Sequence, residues 1–158
     1  MKYPIVLLIV ACVITSCSED VEVKPFTYSK VFTGENEKTW IIEQIAVKKQ
    51  GTPDQYFQLD LCERDDRYTF FANEERAYTI SNGALKCFSD EEDVYVEHTW
   101  SFVNAGAVLN IAIPRVFGNF VVPFIVTKAT KTEMVLEIFA NAENTISYEI
   151  TMKSISEK

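Results

Sequence analysis

The side chains best suited to chemistry in this chain are few. They are Cys62 and Cys87, the single histidine His98, and two acidic clusters: Glu63 with Asp65 and Asp66, and Asp90-Glu91-Glu92-Asp93. A catalytic histidine needs a nucleophile and an orienting carboxylate within reach. No G-x-S-x-G, H-E-x-x-H or S-x-x-K string occurs, so His98 has none of the usual sequence partners. It alternates with Val96, Trp100 and Phe102 and reads as a core or lumen histidine. No enzyme activity and no catalytic residue are assigned. Carboxylate oxygens suit Ca²⁺, yet the acidic spacing is not that of an EF-hand loop. Solvated loop charge is the expectation for both clusters, and no metal or cofactor is assigned. A glycosidase would need two carboxylates facing across a cleft, which sequence order does not supply. Asp65 and Asp66 could equally brace the turn into the following strand. The two clusters flank Cys62 and Cys87 and so are expected to approach each other in space.

The first residues set the compartment. Lys2 gives a short positive start, and Ile5 to Ile14 form an uncharged apolar stretch. That stretch is shorter than the roughly 20 residues a membrane span needs, and it suits the apolar region of a secretory signal. Ile14-Thr15-Ser16-Cys17 resembles a bacterial lipobox, an aliphatic residue and two small ones before a cysteine. The resemblance implies cleavage before Cys17 and acylation of its thiol. A rival stretch, Ile9-Val10-Ala11-Cys12, puts bulky Val10 beside the cut. Ser18-Glu19-Asp20 resembles the acidic surface-export tag of Bacteroidota lipoproteins. The expected address is therefore the outer membrane, lipid-anchored, with the domain either facing the periplasm or exposed at the cell surface, and with the membrane as a partner through the anchor. Several buried acyl chains, at about 0.8 kcal/mol per CH₂, would make that anchoring effectively permanent. With Cys17 acylated, Cys62 and Cys87 remain as an even pair in an oxidising compartment. They lack C-x-x-C spacing and a neighbouring histidine. A structural disulfide is expected, with free thiols and metal ligation as the alternatives.

The elements that must position these residues follow from composition and pattern. The chain has 158 residues, 47% hydrophobic and 13% aromatic, enough for one domain with a sizeable core. The net charge is −8, and no basic stripe with interleaved aromatics is present, which argues against a nucleic-acid partner. Residues 17–37, with Pro25 and Gly34, read as a lipid-anchored tether after a signal peptide at 1–16. Apolar Val21, Val23, Phe26, Tyr28 and Phe32 point to partial packing against the domain at 38–158. From Lys38 onward the pattern is β. "TWIIEQIAVKK", "RYTFFAN", "AYTIS", "YVEHTWSFV", "AVLNIAI", "FVVPFIVTK", "EMVLEIFA" and "TISYEITMK" make about eight runs at regular spacing. That is the signature of a sandwich or an up-and-down barrel. The stretch 54–67 is the exception and reads as a short helix or loop.

Trp40-Ile41-Ile42-Glu43-Gln44-Ile45 in the first strand, "DLCERDDRYTF", a second cysteine, "TWSF", "LNI" and the closing hairpin pair occur in an order that resembles the lipocalin-like domain of Bacteroidota lipoproteins. The resemblance covers roughly 39–153 and implies a fold and an address, without an established activity. The expected architecture is an all-β, eight-stranded antiparallel up-and-down β-barrel. Strand parity puts Trp40, Ile42 and Gln44, then Val96, His98, Trp100 and Phe102, then Phe120, Val122, Phe124 and Val126, and Ile146, Tyr148 and Ile150 on inward faces. The ligand-lining candidates are Trp40, His98, Trp100, Phe102, Phe120, Phe124 and Tyr148. An eight-stranded barrel either holds one small ligand or fills with side chains. The functional expectation is binding of a small apolar or amphipathic ligand. The alternative is an accessory lipoprotein that docks on an outer-membrane protein, its barrel filled.

Overall fold

The computed structural model of the protein describes residues 25–158; the signal segment 1–16, Cys12, Cys17 and the first part of the expected tether lie outside them. Within that tether, a helix α1 (Pro25–Thr33) precedes the sheet and ends at Gly34. Gly34 takes φ 68° and returns its N–H to Lys30 O at 2.9 Å. This left-handed helix stop favours glycine.

The sheet is wholly antiparallel. It comprises β1 (Glu37–Lys49), β2 (Gln55–Phe57), β3 (Arg67–Phe71), β4 (Ala77–Ser81), β5 (Val94–Thr99), β6 (Ser101–Val103), β7 (Val108–Ala112), β8 (Val121–Ala129), β9 (Glu133–Phe139) and β10 (Ile146–Glu157). Short helices α2 (Leu61–Arg64) and α3 (Pro114–Phe117) and a 3₁₀ turn at Asn104–Gly106 fill the connections. The hydrogen-bonded order is β5-β4-β3-β1-β10-β9-β8-β7-β6, with β2 added on β1. β1 and β10, the two longest strands, pair along their whole length.

The two ends of that path, β5 and β6, are consecutive in sequence and joined through Trp100, so the sheet curls into a nearly closed barrel. This gives ten strands where eight were expected. The run "YVEHTWSFV" is divided at Trp100, which leaves the ladder to donate its N–H to Arg76 O at 2.8 Å. The short β2 inside the irregular stretch adds the other. Beyond β6 the strands β5 and β7 have no ladder between them. Tyr78 reaches β7 there with its hydroxyl, accepting from Ala112 N at 2.8 Å.

The lumen is a solid core. Trp40, Tyr68, Phe70, Tyr78, Ile80, Leu109, Ile111, Phe124, Leu136, Ile150 and Met152 form one apolar cluster with exposures of 0–1%. Among the described residues these side chains fill the barrel interior, as a small barrel allows. Phe32 from α1 inserts into one end of that cluster, its ring 4.0 Å from Phe70 and 5.4 Å from Trp100. Trp40 Nε1 donates to Phe32 O at 2.9 Å, so the first strand and the helix are tied by a satisfied indole. Burying a phenylalanine this way contributes about 1.5–3 kcal/mol, which fixes α1 across the barrel mouth.

Candidate functional site

The chain direction sorts the loops to two ends. At one end lie α1, the turn 72–76 between β3 and β4, the 3₁₀ turn after β6, and the turn 130–132. At the other lie α2, the loop 82–93, α3 and the turn 140–145.

A cavity lies at the α1 end, beside the filled lumen. Its volume is about 670 Å³, within the range of small-molecule pockets. One wall is the face of α1 carrying Ser29, Lys30 and Thr33; the other comprises the turn 72–76, Trp100 and Phe102, and Ala105-Gly106. Trp100 and Phe102 meet edge to face at 5.7 Å and make the apolar floor. Trp100 is held from beneath by its Nε1 donating to Phe71 O at 3.3 Å. The rim is polar. Lys30 Nζ pairs with Glu35 at 3.1 Å, and the Arg76 guanidinium lies 5.7 Å from the centre of the Trp100 ring. An apolar floor with a few placed polar groups suits an amphipathic molecule.

The residues expected to line a ligand site are thus divided by the structure. Trp100 and Phe102 share the cleft. Trp40 and Phe124 are fully buried in the packed core and face no cavity. Tyr148 is half-buried, edge-on to Phe117 at 5.6 Å. Three expectations are corrected. Phe120 is 75% exposed, because it precedes β8 in the loop after α3 and lies outside the strand whose parity it was assigned. His98 is also exposed. Its ring stacks on Tyr78 at 6.1 Å and its Nδ1 accepts from Thr99 N at 2.8 Å. It lies where β5 and β7 separate, on a shallow cleft of about 230 Å³ with Tyr95, Ala112 and Asn119. Gln44, expected on the inward face of the first strand, is exposed as well.

The opposite end holds the disulfide and the acidic clusters. Cys62 and Cys87 are bonded, with Cα atoms 5.2 Å apart, which clips α2 to the loop after β4. Asp65 then braces that loop: its Oδ2 accepts from Ala84 N at 2.6 Å and Leu85 N at 3.0 Å. A Cβ on Gly83 would come within 2.3 Å of Asp65 O, so the close approach requires glycine there. The clusters do approach each other, through Arg115 of α3. The guanidinium bonds Glu91 Oε1 at 2.5 Å and Asp66 Oδ2 at 3.4 Å, and lies 4.7 Å over Tyr95. Tyr95 OH donates to Asp66 at 2.6 Å. Asp66 is therefore fully buried, against the expectation of solvated charge, whereas Asp90, Glu92 and Asp93 remain exposed. Burial, with the Asp66 carboxylate adding to it, pushes the Tyr95 phenol well above its ordinary pKa. Among the described residues no group of three or more His, Cys, Asp or Glu side chains is arranged to hold a metal ion.

Sequence reasoning missed Arg76, the α1 face and Arg115. Arg76 stands in what reads as a plain hairpin turn, and Arg115 follows a strand-ending proline. Their only signal is that they are cations on connections, where binding residues concentrate. No known family's profile matches the chain, and none of the curated proteins matches it in sequence.

Proposed function

We propose that this protein is a cell-envelope lipoprotein, anchored in the outer membrane through Cys17, that binds a small amphipathic molecule in the cleft between α1 and the barrel rim. The reading is carried by one observation: the 670 Å³ cleft is floored by Trp100 and Phe102 and rimmed by charged side chains. It moves the ligand from the lumen to the mouth, and it assigns no reaction. The filled lumen is no obstacle, because a packed barrel is a rigid support for a site made by its loops.

The test is native mass spectrometry of the protein purified from its own envelope. A retained molecule at one-to-one stoichiometry, lost in Trp100→Ala while the melting temperature stays within a few degrees of wild type, is the expected result. A second reading, docking on an outer-membrane protein, has its own observation. Leu61 and Phe88, next to the two bonded cysteines, are 72% and 63% exposed, and Leu85 beside them is 48% exposed. Co-purification of a stoichiometric protein with no small molecule, abolished by Phe88→Ser, would replace the first reading with this one.

A further inference from the structure

Two of the four non-glycine residues with positive φ in the described chain line this cleft, Arg76 at 53° and Ala105 at 56°, and a third, Asn104 at 51°, directly precedes Ala105. Asparagine tolerates that region, but arginine and alanine adopt it only against steric strain. Backbone strain of this kind persists where surrounding bonds over-determine it, and it collects at binding sites. Arg76 is held on both sides. Its N–H donates to Asn73 O at 3.1 Å, its C=O accepts the Trp100 N–H at 2.8 Å, and Asn73 Oδ1 closes the turn on Ala77 N at 2.9 Å. A turn with only a structural role would favour glycine at that position. Here it holds a guanidinium at the lip of an apolar floor.

The charges around the cleft decide what that guanidinium can meet. Lys30 and Glu35 line it and neutralise each other. Glu74 and Glu75 share the turn but do not line the cleft. Among the described residues no carboxylate pairs with Arg76; its contact is the Trp100 ring. Among the described residues the cleft thus presents one cation with no paired carboxylate, Arg76, next to an aromatic surface. A guanidinium is a flat, weakly hydrated fork that binds carboxylate or phosphate oxygens through paired N–H groups.

We infer that the occupant is an anionic amphipath, with its carboxylate, phosphate or sulfate head on Arg76 and its apolar body on Trp100 and Phe102. This rests on the binding reading above. The preference falls with ionic strength, because Arg76 is exposed and its charge is screened within about 8 Å at physiological salt.

The test uses the full chain, labelled with 5-fluorotryptophan and held in lipid nanodiscs. Three probes share a ten-carbon chain: decanoate, decanol and decyltrimethylammonium. Fluorine NMR separates Trp100, in the cleft, from Trp40, in the core, with Trp100→Phe assigning the signals. Decanoate is expected to shift the Trp100 resonance saturably and at least tenfold more tightly than the cationic probe, with decanol between them and Trp40 unmoved. Arg76→Gln should collapse the three affinities to within about twofold. Arg76→Gly should do the same while melting no lower than wild type, since glycine relieves the strained φ. If no probe shifts Trp100, the binding reading itself fails. If all three bind equally in wild type, the cleft is a site but the anionic assignment is wrong. An anion preference that survives Arg76→Gln would also overturn it.

Discussion

Asp66 has no exposed surface, and its Oδ1 has no hydrogen-bond partner among the described residues. Burial raises its pKa above the ordinary carboxylate value; Tyr95 and Arg115 pull it down without cancelling the rise, and Glu91 adds to it. The sign for stability follows. A folded-state value above the unfolded one, which is about 3.9, means that the folded protein holds this proton more tightly. Stability contributed by the group is present at low pH and falls as pH rises from about 4 through the folded-state pKa, then levels. Asp66→Asn removes the titration and keeps an acceptor for Tyr95 and Arg115. The melting temperature of the Asn variant minus that of wild type should therefore increase between pH 4 and 7. Asp93 and Glu157 have lowered values, held by hydrogen bonds from Lys86 and Lys38; they push the opposite way in both proteins and cancel in the difference. A pH-independent difference would mean that the buried carboxylate carries its charge without penalty. The same scale shows why some site residues were not legible in sequence. Strand parity put Trp40, Ile42 and Gln44 on one face, but β1 slips register between Ile42 and Gln44. One such irregularity turns every later side chain over, so Ile45 is buried and Gln44 is in water. His98 keeps its parity, opposite buried Tyr78, and is exposed because no strand pairs with β5 on its other side.

At the scale of elements, all eight β runs of the sequence became strands, because Ile, Val, Tyr, Phe and Trp at alternate positions have little choice once a core forms. The helix α1 was not legible. Pro25 and Gly34, read as marks of an irregular tether, are instead its first residue and its stop. The stretch 54–67, expected to be a short helix or loop, holds the helix α2 and also the short strand β2, and its partner is the clip. Cys62 and Cys87 are 25 residues apart in sequence. Closing a loop of that length contributes about 3–4 kcal/mol, by an entropic account that is itself disputed. Asp65 on Ala84 and Leu85 makes the same junction by hydrogen bonds, so reduction should loosen the α2 end without unfolding the barrel. The expected outcome is that neither cysteine is alkylated in native protein until reductant is added, and that reduction lowers the melting temperature by roughly 10 °C. Hydrogen exchange should then speed up in 82–93 while β1 and β10 stay protected. Alkylation without reductant, or a melting temperature that reduction leaves unchanged, would show that the junction holds by Asp65 alone.

For the molecule as a whole, the decisive geometry is that the chain enters at the end carrying the cleft. Seven residues, Ser18 to Lys24, separate Cys17 from the first residue of α1, and a chain of that length reaches at most about 30 Å. If Cys17 carries the lipid, the start of α1 is held within that distance of the bilayer, where an amphipathic molecule is concentrated, and the cleft opens from the later turns of the same helix. On the proposed reading the anchor and the cleft act together, and the anchor can be tested separately. In the native host, wild type should incorporate labelled palmitate into the processed form. Cys17→Ser should incorporate none and accumulate unprocessed, and Cys12→Ala should label like wild type. Loss of label in Cys12→Ala, or its persistence in Cys17→Ser, would place the attachment elsewhere. A lipid on Cys12 would add five residues to the tether and about 18 Å to its reach, so the cleft would no longer be confined to the membrane surface and the link between anchor and ligand would weaken.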